Sequence, residues 1–274
     1  MLTKVLISVK TYPTLSKRYS ELVCTAGFLE DGTWVRIYPL SFRALENEQQ
    51  YKKWQWIELD LERNYSDIRP ESRKVKNLSS LKIIEELNTE QNWYRRKEIV
   101  NQSTIYEDLT DLIAKANQDN VLSLATFKPA KIIDFIIEEV EREWDSEKLA
   151  VLEEKYRQLS LFQTEEEVKK EFEHVDKLPY KFSYKFEDIK GKEPTLMIED
   201  WEIGALYWNC LKNCNGDEKM AIQQVRNKYF DKFTKECDVL LFLGTTLKYH
   251  GWATNPFVIV GVFYPGRERQ ESLF

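Results

Sequence analysis

Over its first 65 residues the chain alternates apolar and polar side chains with a period of two, a pattern that an extended strand sorts onto two faces and a helix does not. Lys4–Lys10 sets Val5, Ile7 and Val9 against Lys4, Ser8 and Lys10, and Glu21–Leu29 carries Leu22, Cys24, Ala26 and Phe28 on one face. Thr33–Arg43 places Trp34, Arg36 and Tyr38 opposite Val35 and Ile37 until Pro39 interrupts it. Trp54–Arg63 places Ile57, Leu59 and Leu61 opposite Trp56, Glu58, Asp60 and Glu62. Asp31-Gly32 supplies a tight turn between the second and third strands, which makes them a hairpin. Four strands this close together predict an antiparallel sheet or a small barrel.

Beyond it the pattern changes. Asn64–Lys76 is polar and holds Pro70, which predicts a loop, while Leu81–Leu87 fits either a short strand or a helix. Thr89 is placed to cap a helix running to about Asn101, and Thr104 to open a second with Ile105, Leu109, Leu112, Ile113 and Ala116 at helical spacing. Val121–Phe127 and Lys131–Val140 read as strands. From Glu138 to Phe172 the composition turns to Glu, Lys, Arg and Gln, which predicts one or two long exposed helices. Strand alternation returns at Pro179–Phe186, with Thr195–Ile198 as its partner. Asp200 is placed to cap a helix with Ile203, Leu206, Tyr207, Cys210, Leu211 and Cys214 on one stripe. A helix from about Asp217 and two apolar strands, Asp238–Thr245 and Phe257–Tyr264, complete the chain.

The expected fold class is therefore α+β: an N-terminal antiparallel β-sheet or small barrel, a charged helical middle segment, and C-terminal strands and helices packing back on it. The corresponding regions are 1–140, 141–175 and 176–274, as three parts or as one integrated domain. Nine glycines argue against Gly-rich phosphate loops, and Cys24, Cys210, Cys214 and Cys237 form neither a zinc pattern nor a disulfide ladder. Cys210 and Cys214 fall on the apolar stripe of their helix, the usual place of core cysteines. No apolar run approaches the roughly 20 residues of a membrane span and no signal peptide precedes the first strand, so no membrane partner and a cytoplasmic location are expected. Charge is unevenly distributed: 17 basic against 16 acidic residues through position 110, and 23 against 30 after it. A chain of net charge −6 does not coat a duplex by charge alone, so any nucleic-acid site must be local.

Three basic stretches interleave with aromatics: Trp34, Arg36 and Tyr38, then Arg43, then Arg69 and Arg73 beside the fourth strand with Trp56. Guanidinium groups between π-faces suit phosphates and base edges. The competing reading makes Trp34 and Tyr38 sheet packing and pairs Arg36 with a carboxylate of Trp56–Glu62. Tyr180, Phe182, Tyr184 and Phe186 fit a core face better than a stacking platform. For proton chemistry the candidates are Asp200, Glu202 and His250, the last in a loop between the final strands. No cofactor is called for, although Glu58 and Asp60 could hold a divalent metal in a hydrolase.

Val23-Cys24-Thr25-Ala26-Gly27, Trp34 through Arg43, Asp67 through Ser72, Asp200-Trp201-Glu202 and Phe242 through Thr246 resemble an uncharacterised bacterial protein family associated with mobile or defence islands. The resemblance spans most of the chain, implies one integrated protein, and favours nucleic acid as the partner. The leading expectation is a nucleic-acid-binding protein that holds a single strand, an end or an altered base in an Arg/aromatic groove, in a setting such as antiviral defence. The alternatives are a metal-assisted hydrolase or nuclease, and an interaction subunit whose charged helices dock a protein partner.

Overall fold

A computed structural model describes residues 2–16, 20–40, 45, 49–147, 150 and 176–268. Its first strands are β1 (Leu2–Lys10), β2 (Thr14–Ser16), β3 (Ser20–Leu22), β4 (Thr25–Phe28), β5 (Trp34–Ile37), β6 (Gln55–Arg63) and β7 (Ser72–Glu86). Five of them close into a barrel in the order β1-β4-β5-β7-β6, and β2 and β3 form a separate hairpin. Its pairings are antiparallel except that of β5 with β7, where Arg36 and Ile37 lie beside Ser72 and Arg73. The β4–β5 turn forms as its residues require: Gly32 adopts φ +78° and Asp31 Oδ1 accepts the Thr33 N–H at 2.9 Å. Gly27 serves close approach instead, since a Cβ there would lie 2.0 Å from the Leu6 carbonyl oxygen.

Two expectations change here. Glu21–Leu29 is not one strand: it breaks at Val23-Cys24, where Thr11 clasps Cys24 through its N–H to the Cys24 carbonyl (3.0 Å) and through Oγ1, which accepts the Cys24 N–H (2.9 Å). The loop assigned to Asn64–Lys76 ends at Glu71, and residues 72–86, including all but the last residue of the undecided Leu81–Leu87 stretch, form the longest strand among the described residues. Most of its side chains face water, so its composition is polar; the ladder to β6 holds it in place.

Then follow α1 (Glu90–Gln102, with left-handed backbone at Gln91–Trp93 inside its first turn), β8 (Ile105–Tyr106), α2 (Leu109–Asn117), β9 (Leu124–Phe127) and β10 (Lys131–Glu139). Thr89 makes no side-chain cap to α1. Asp108 rather than Thr104 caps α2, its carboxylate accepting the N–H groups of Thr110 and Asp111, because Ile105–Tyr106 is drawn off to pair with β9. Most of the charged segment 141–175 lies outside the described residues, and the helices expected there with it. The chain continues with β11 (Tyr180–Glu187), β12 (Thr195–Met197), α3 (Trp201–Asn213) and α4 (Glu218–Arg226). A π-helical stretch (Asn227–Lys232), α5 (Phe233–Glu236), β13 (Leu240–Thr245) and β14 (Phe257–Phe263) follow. A four-stranded sheet runs β14-β13-β9-β8 and a three-stranded one β10-β11-β12, giving an α+β fold.

Three apolar clusters layer the molecule. Val5, Ile7, Val35, Ile37, Ile57, Leu59 and Tyr51 fill the barrel. Leu6, Val9, Phe28, Trp34, Trp56, Leu124, Phe242 and Val260 form a layer between its outer wall and the four-stranded sheet. Phe135, Phe182, Tyr184, Phe186, Ile203, Tyr207, Tyr229, Leu241 and Leu243 pack the sheets against the later helices. All six residues of β13 are buried, Leu240 and Phe242 toward the barrel and Leu241 and Leu243 away from it. The aromatic face of β11 is core.

Candidate ligand cavity between barrel and sheet

The alternation of β5 decides where its side chains go. Val35 and Ile37 enter the barrel, so Trp34 and Arg36 point out of it toward the four-stranded sheet. Trp34 packs against Phe28 and Phe242, with ring centroids 4.0 and 5.2 Å away. One strand step further the layer is open, and Arg36 lines a cavity of about 160 Å³ there with Cys24, Tyr38, Arg69, Thr11, Tyr12, Glu199, Thr245 and Thr246, and with Leu247, Val258 and Val260 as its apolar wall.

Arg36 is 1% exposed and forms no ion pair with any of the described residues. One terminal nitrogen donates to the Cys24 Sγ at 2.9 Å, the other to the Ser123 carbonyl at 3.1 Å, and Nε has no partner. Burial is the largest influence on this guanidinium and lowers its pKa. The carboxylate expected from Trp56–Glu62 does not reach it. Glu71 comes from the other side and is spent on the backbone, accepting the Ser123 N–H at 2.8 Å and the Ser123 hydroxyl at 2.6 Å.

Arg69 is the second cation, and it is differently held. Its Nε and a terminal nitrogen donate to Asp67 at 2.9 and 2.7 Å, and the other terminal nitrogen donates to the Thr245 carbonyl at 3.0 Å. Burial is the largest single influence and weighs against its charge, but Asp67 together with Cys24 and Tyr38 turns the net shift upward. Its guanidinium stacks over Tyr38, 5.0 Å from the ring centre. Behind it a hydrogen-bonded chain fixes three loops. Asn120 Nδ2 donates to the Ile68 carbonyl, which turns Asn120 Oδ1 toward His250 Nε2 at 2.8 Å; His250 Nδ1, then the acceptor, lies 3.0 Å from the Thr245 hydroxyl. Burial, then the Arg69 charge, lowers the His250 pKa. Arg36 Nε and Thr246 Oγ1 are both buried without a hydrogen-bond partner among the described residues, and burial raises the pKa of the Glu199 carboxyl.

Of the residues marked in the sequence, Arg36, Tyr38 and Arg69 thus meet at one cavity. Trp34 and Trp56 belong to the apolar layer beside it, with Lys4 Nζ 4.9 Å from the Trp56 ring centre. Arg73 donates to the carbonyls of Pro70 and Ser72 at 3.1 and 3.0 Å instead of reaching the cavity, and Arg43 lies outside the described residues. Asp200 and Glu202 form a separate cluster around buried Lys53, whose Nζ lies 3.0 Å from Asp200 Oδ2 and 3.2 Å from Glu202 Oε2. Burial pushes the Asp200 carboxyl up to about 6, against the opposing pull of Lys53. His250 shares no hydrogen bond with that cluster; both its ring nitrogens are engaged elsewhere. Among the described residues no group of three or more His, Cys, Asp and Glu side chains converges in a metal-binding arrangement, and Glu58 and Asp60 remain a pair on β6. Sequence reasoning missed Thr11, Tyr12, Glu199, Thr245 and Thr246 as cavity walls, and it assigned Cys24 to the core. The one available signal was Thr245-Thr246, hydroxyls at the end of an otherwise apolar strand.

No curated protein matches the chain. Residues 1–102 match the domain of unknown function DUF8758 and residues 101–274 match the domain of unknown function DUF8757. The boundary falls at the end of α1, so the cavity is composite: Cys24, Arg36 and Arg69 come from the first part and Glu199, Thr245 and Thr246 from the second. By the match to more than half its length, the chain belongs to the uncharacterised DUF8757 family, with a DUF8758 domain preceding it.

Proposed function

We propose that this protein binds nucleic acid by seating the base or the phosphate of one unstacked nucleotide, at a strand end or turned out of a strand, in the Arg36–Arg69 cavity. The observation that carries the reading is Arg36: a buried guanidinium that lines the cavity, with no ion-pairing carboxylate among the described residues and an Nε without a hydrogen-bond partner there. Burying such a charge costs several kcal/mol, and an acceptor-rich anionic ligand offsets that cost. A phosphate or a base edge has this chemistry, and Tyr38 and Tyr12 offer π-faces beside it.

The architecture points the same way by analogy only. Five-stranded Greek-key barrels bind oligonucleotides on the face of their second and third strands. The second and third strands of this barrel are β4 and β5. Here β13 and β14 cover that face, leaving the cavity, which favours one seated nucleotide over an extended track. A cytoplasmic setting, defence against foreign nucleic acid included, fits a reader of ends or altered bases. The hydrolase reading has no comparable support, since Asp200 and Glu202 are held by Lys53.

The test is fluorescence anisotropy with short single-stranded and duplex DNA and RNA, and with mononucleotides, at about 50 and about 200 mM salt. Single strands should bind more tightly than duplexes, with a salt slope near that of one or two phosphate contacts. Arg36→Ala should weaken binding at least tenfold. Absence of binding at the lower salt, or an Arg36→Ala variant that binds like the unaltered protein, would overturn the reading.

A further inference from the structure

The wall residues Thr245, Thr246 and Leu247 open the loop between β13 and β14, and the same loop carries an exposed cluster that the cavity does not use. Trp252 is 68% exposed and Tyr249 41%, with ring centroids 5.7 Å apart, and Lys248 Nζ lies 5.1 Å from the Tyr249 ring centre. The Trp252 Nε1–H donates to the Lys248 carbonyl at 2.8 Å, so the indole is held by its edge while most of its surface stays in water. His250, between the two aromatics, ties this loop through Asn120 to the loop that supplies Arg69. Neither aromatic belongs to any of the three apolar clusters. Their loop is continuous with the cavity wall.

We propose that Lys248, Tyr249 and Trp252 form a stacking platform for the unpaired nucleotides next to the one seated in the cavity. This rests on the nucleic-acid reading of that cavity and adds the direction in which the strand leaves it. The occupant is single-stranded because only unpaired bases present π-faces to an aromatic side chain, and Lys248 suits the accompanying phosphate. Base-on-aromatic stacking is tolerant of sequence, so the platform adds affinity with length and leaves selectivity to the cavity.

The experiment is a length series, from mononucleotide to about six nucleotides, measured by anisotropy on the full chain, on Trp252→Ala, on Trp252→Phe and on Arg36→Ala. Trp252→Ala should leave mononucleotide affinity unchanged and lower oligonucleotide affinity by about 5- to 150-fold, the range for one lost stacking contact. Trp252→Phe should retain most of that affinity, and tryptophan fluorescence quenched by oligonucleotides should lose a component in it. Arg36→Ala should lose affinity at every length. A Trp252→Ala variant that binds all lengths like the unaltered protein, while Arg36→Ala does not, would overturn the platform and leave the cavity reading standing. Equal loss at every length for Trp252→Ala would also overturn it, since the residue would then act through the cavity. Absence of binding by the unaltered protein would overturn both.

Discussion

Arg36 and His250 show how neighbouring buried groups can be held in opposite ways. Arg36 is held by the Ser123 carbonyl and the Cys24 sulfur, whereas His250 is enclosed with both nitrogens matched and its charge disfavoured. A histidine whose pKa is lowered on folding binds its proton more readily in the unfolded chain. Its contribution to stability is present above about 6.5, the unfolded value, and is lost as pH falls from there toward the folded value. The urea midpoint of the unaltered protein should therefore drop between pH 7.5 and pH 5.5 by more than that of His250→Gln. Equal drops would show that His250 is not the group that titrates. What the sequence made legible at this scale follows from side-chain chemistry. Arg36 and Tyr38 could be marked because charge alternating with aromatics is unusual on an extended stretch, and Arg69 because it falls in a basic stretch beside the fourth strand. Trp34 and Trp56 carry the same alternation but end in the apolar layer, because the sheet that covers them lies more than 180 residues away at Phe242. Local pattern tells which side of a strand a residue takes; it does not tell what will cover that side.

At the scale of elements, caps and ladders account for the differences between expectation and structure. Asp200 caps α3 as its sequence context suggests, accepting the Glu202 N–H at 3.2 Å, but its carboxylate also accepts the Val262 N–H and pairs with Lys53. The cap of one helix is thereby the anchor of β14 and of the segment before β6. Removing one member of a buried pair strands the other charge, at a cost of roughly 3–5 kcal/mol. Asp200→Asn keeps the cap geometry and should still lower stability by roughly 3 kcal/mol in chemical denaturation, moderated by Glu202. Lys53→Met combined with Asp200→Asn should recover part of that loss in a double-mutant cycle; additive losses would show that the two do not act as a pair. The strand β7 teaches a related lesson. Its polar run was legible only as a loop because strand patterning records burial, and a strand held by backbone pairing with wet side chains leaves no such record.

Across the whole molecule, the two family matches meet where the chain buries a continuous apolar layer. Leu6, Phe28, Trp34 and Trp56 on the barrel face Leu124, Phe242 and Val260 on the sheet. Expressed alone, residues 1–102 should expose that face, bind a hydrophobic dye and self-associate, and co-expression with residues 101–274 should suppress both. A monomeric, dye-silent 1–102 fragment would show that the barrel wall needs no cover. The composite cavity extends this from stability to inheritance. A wall drawn from both parts ties their histories together. An exchange of either part between relatives would carry half of a pocket into a partner that has not kept pace with it, so changes around Arg36 and changes around Thr245 must travel as a matched set. On the proposed reading of the cavity, the unit on which selection would act is the junction.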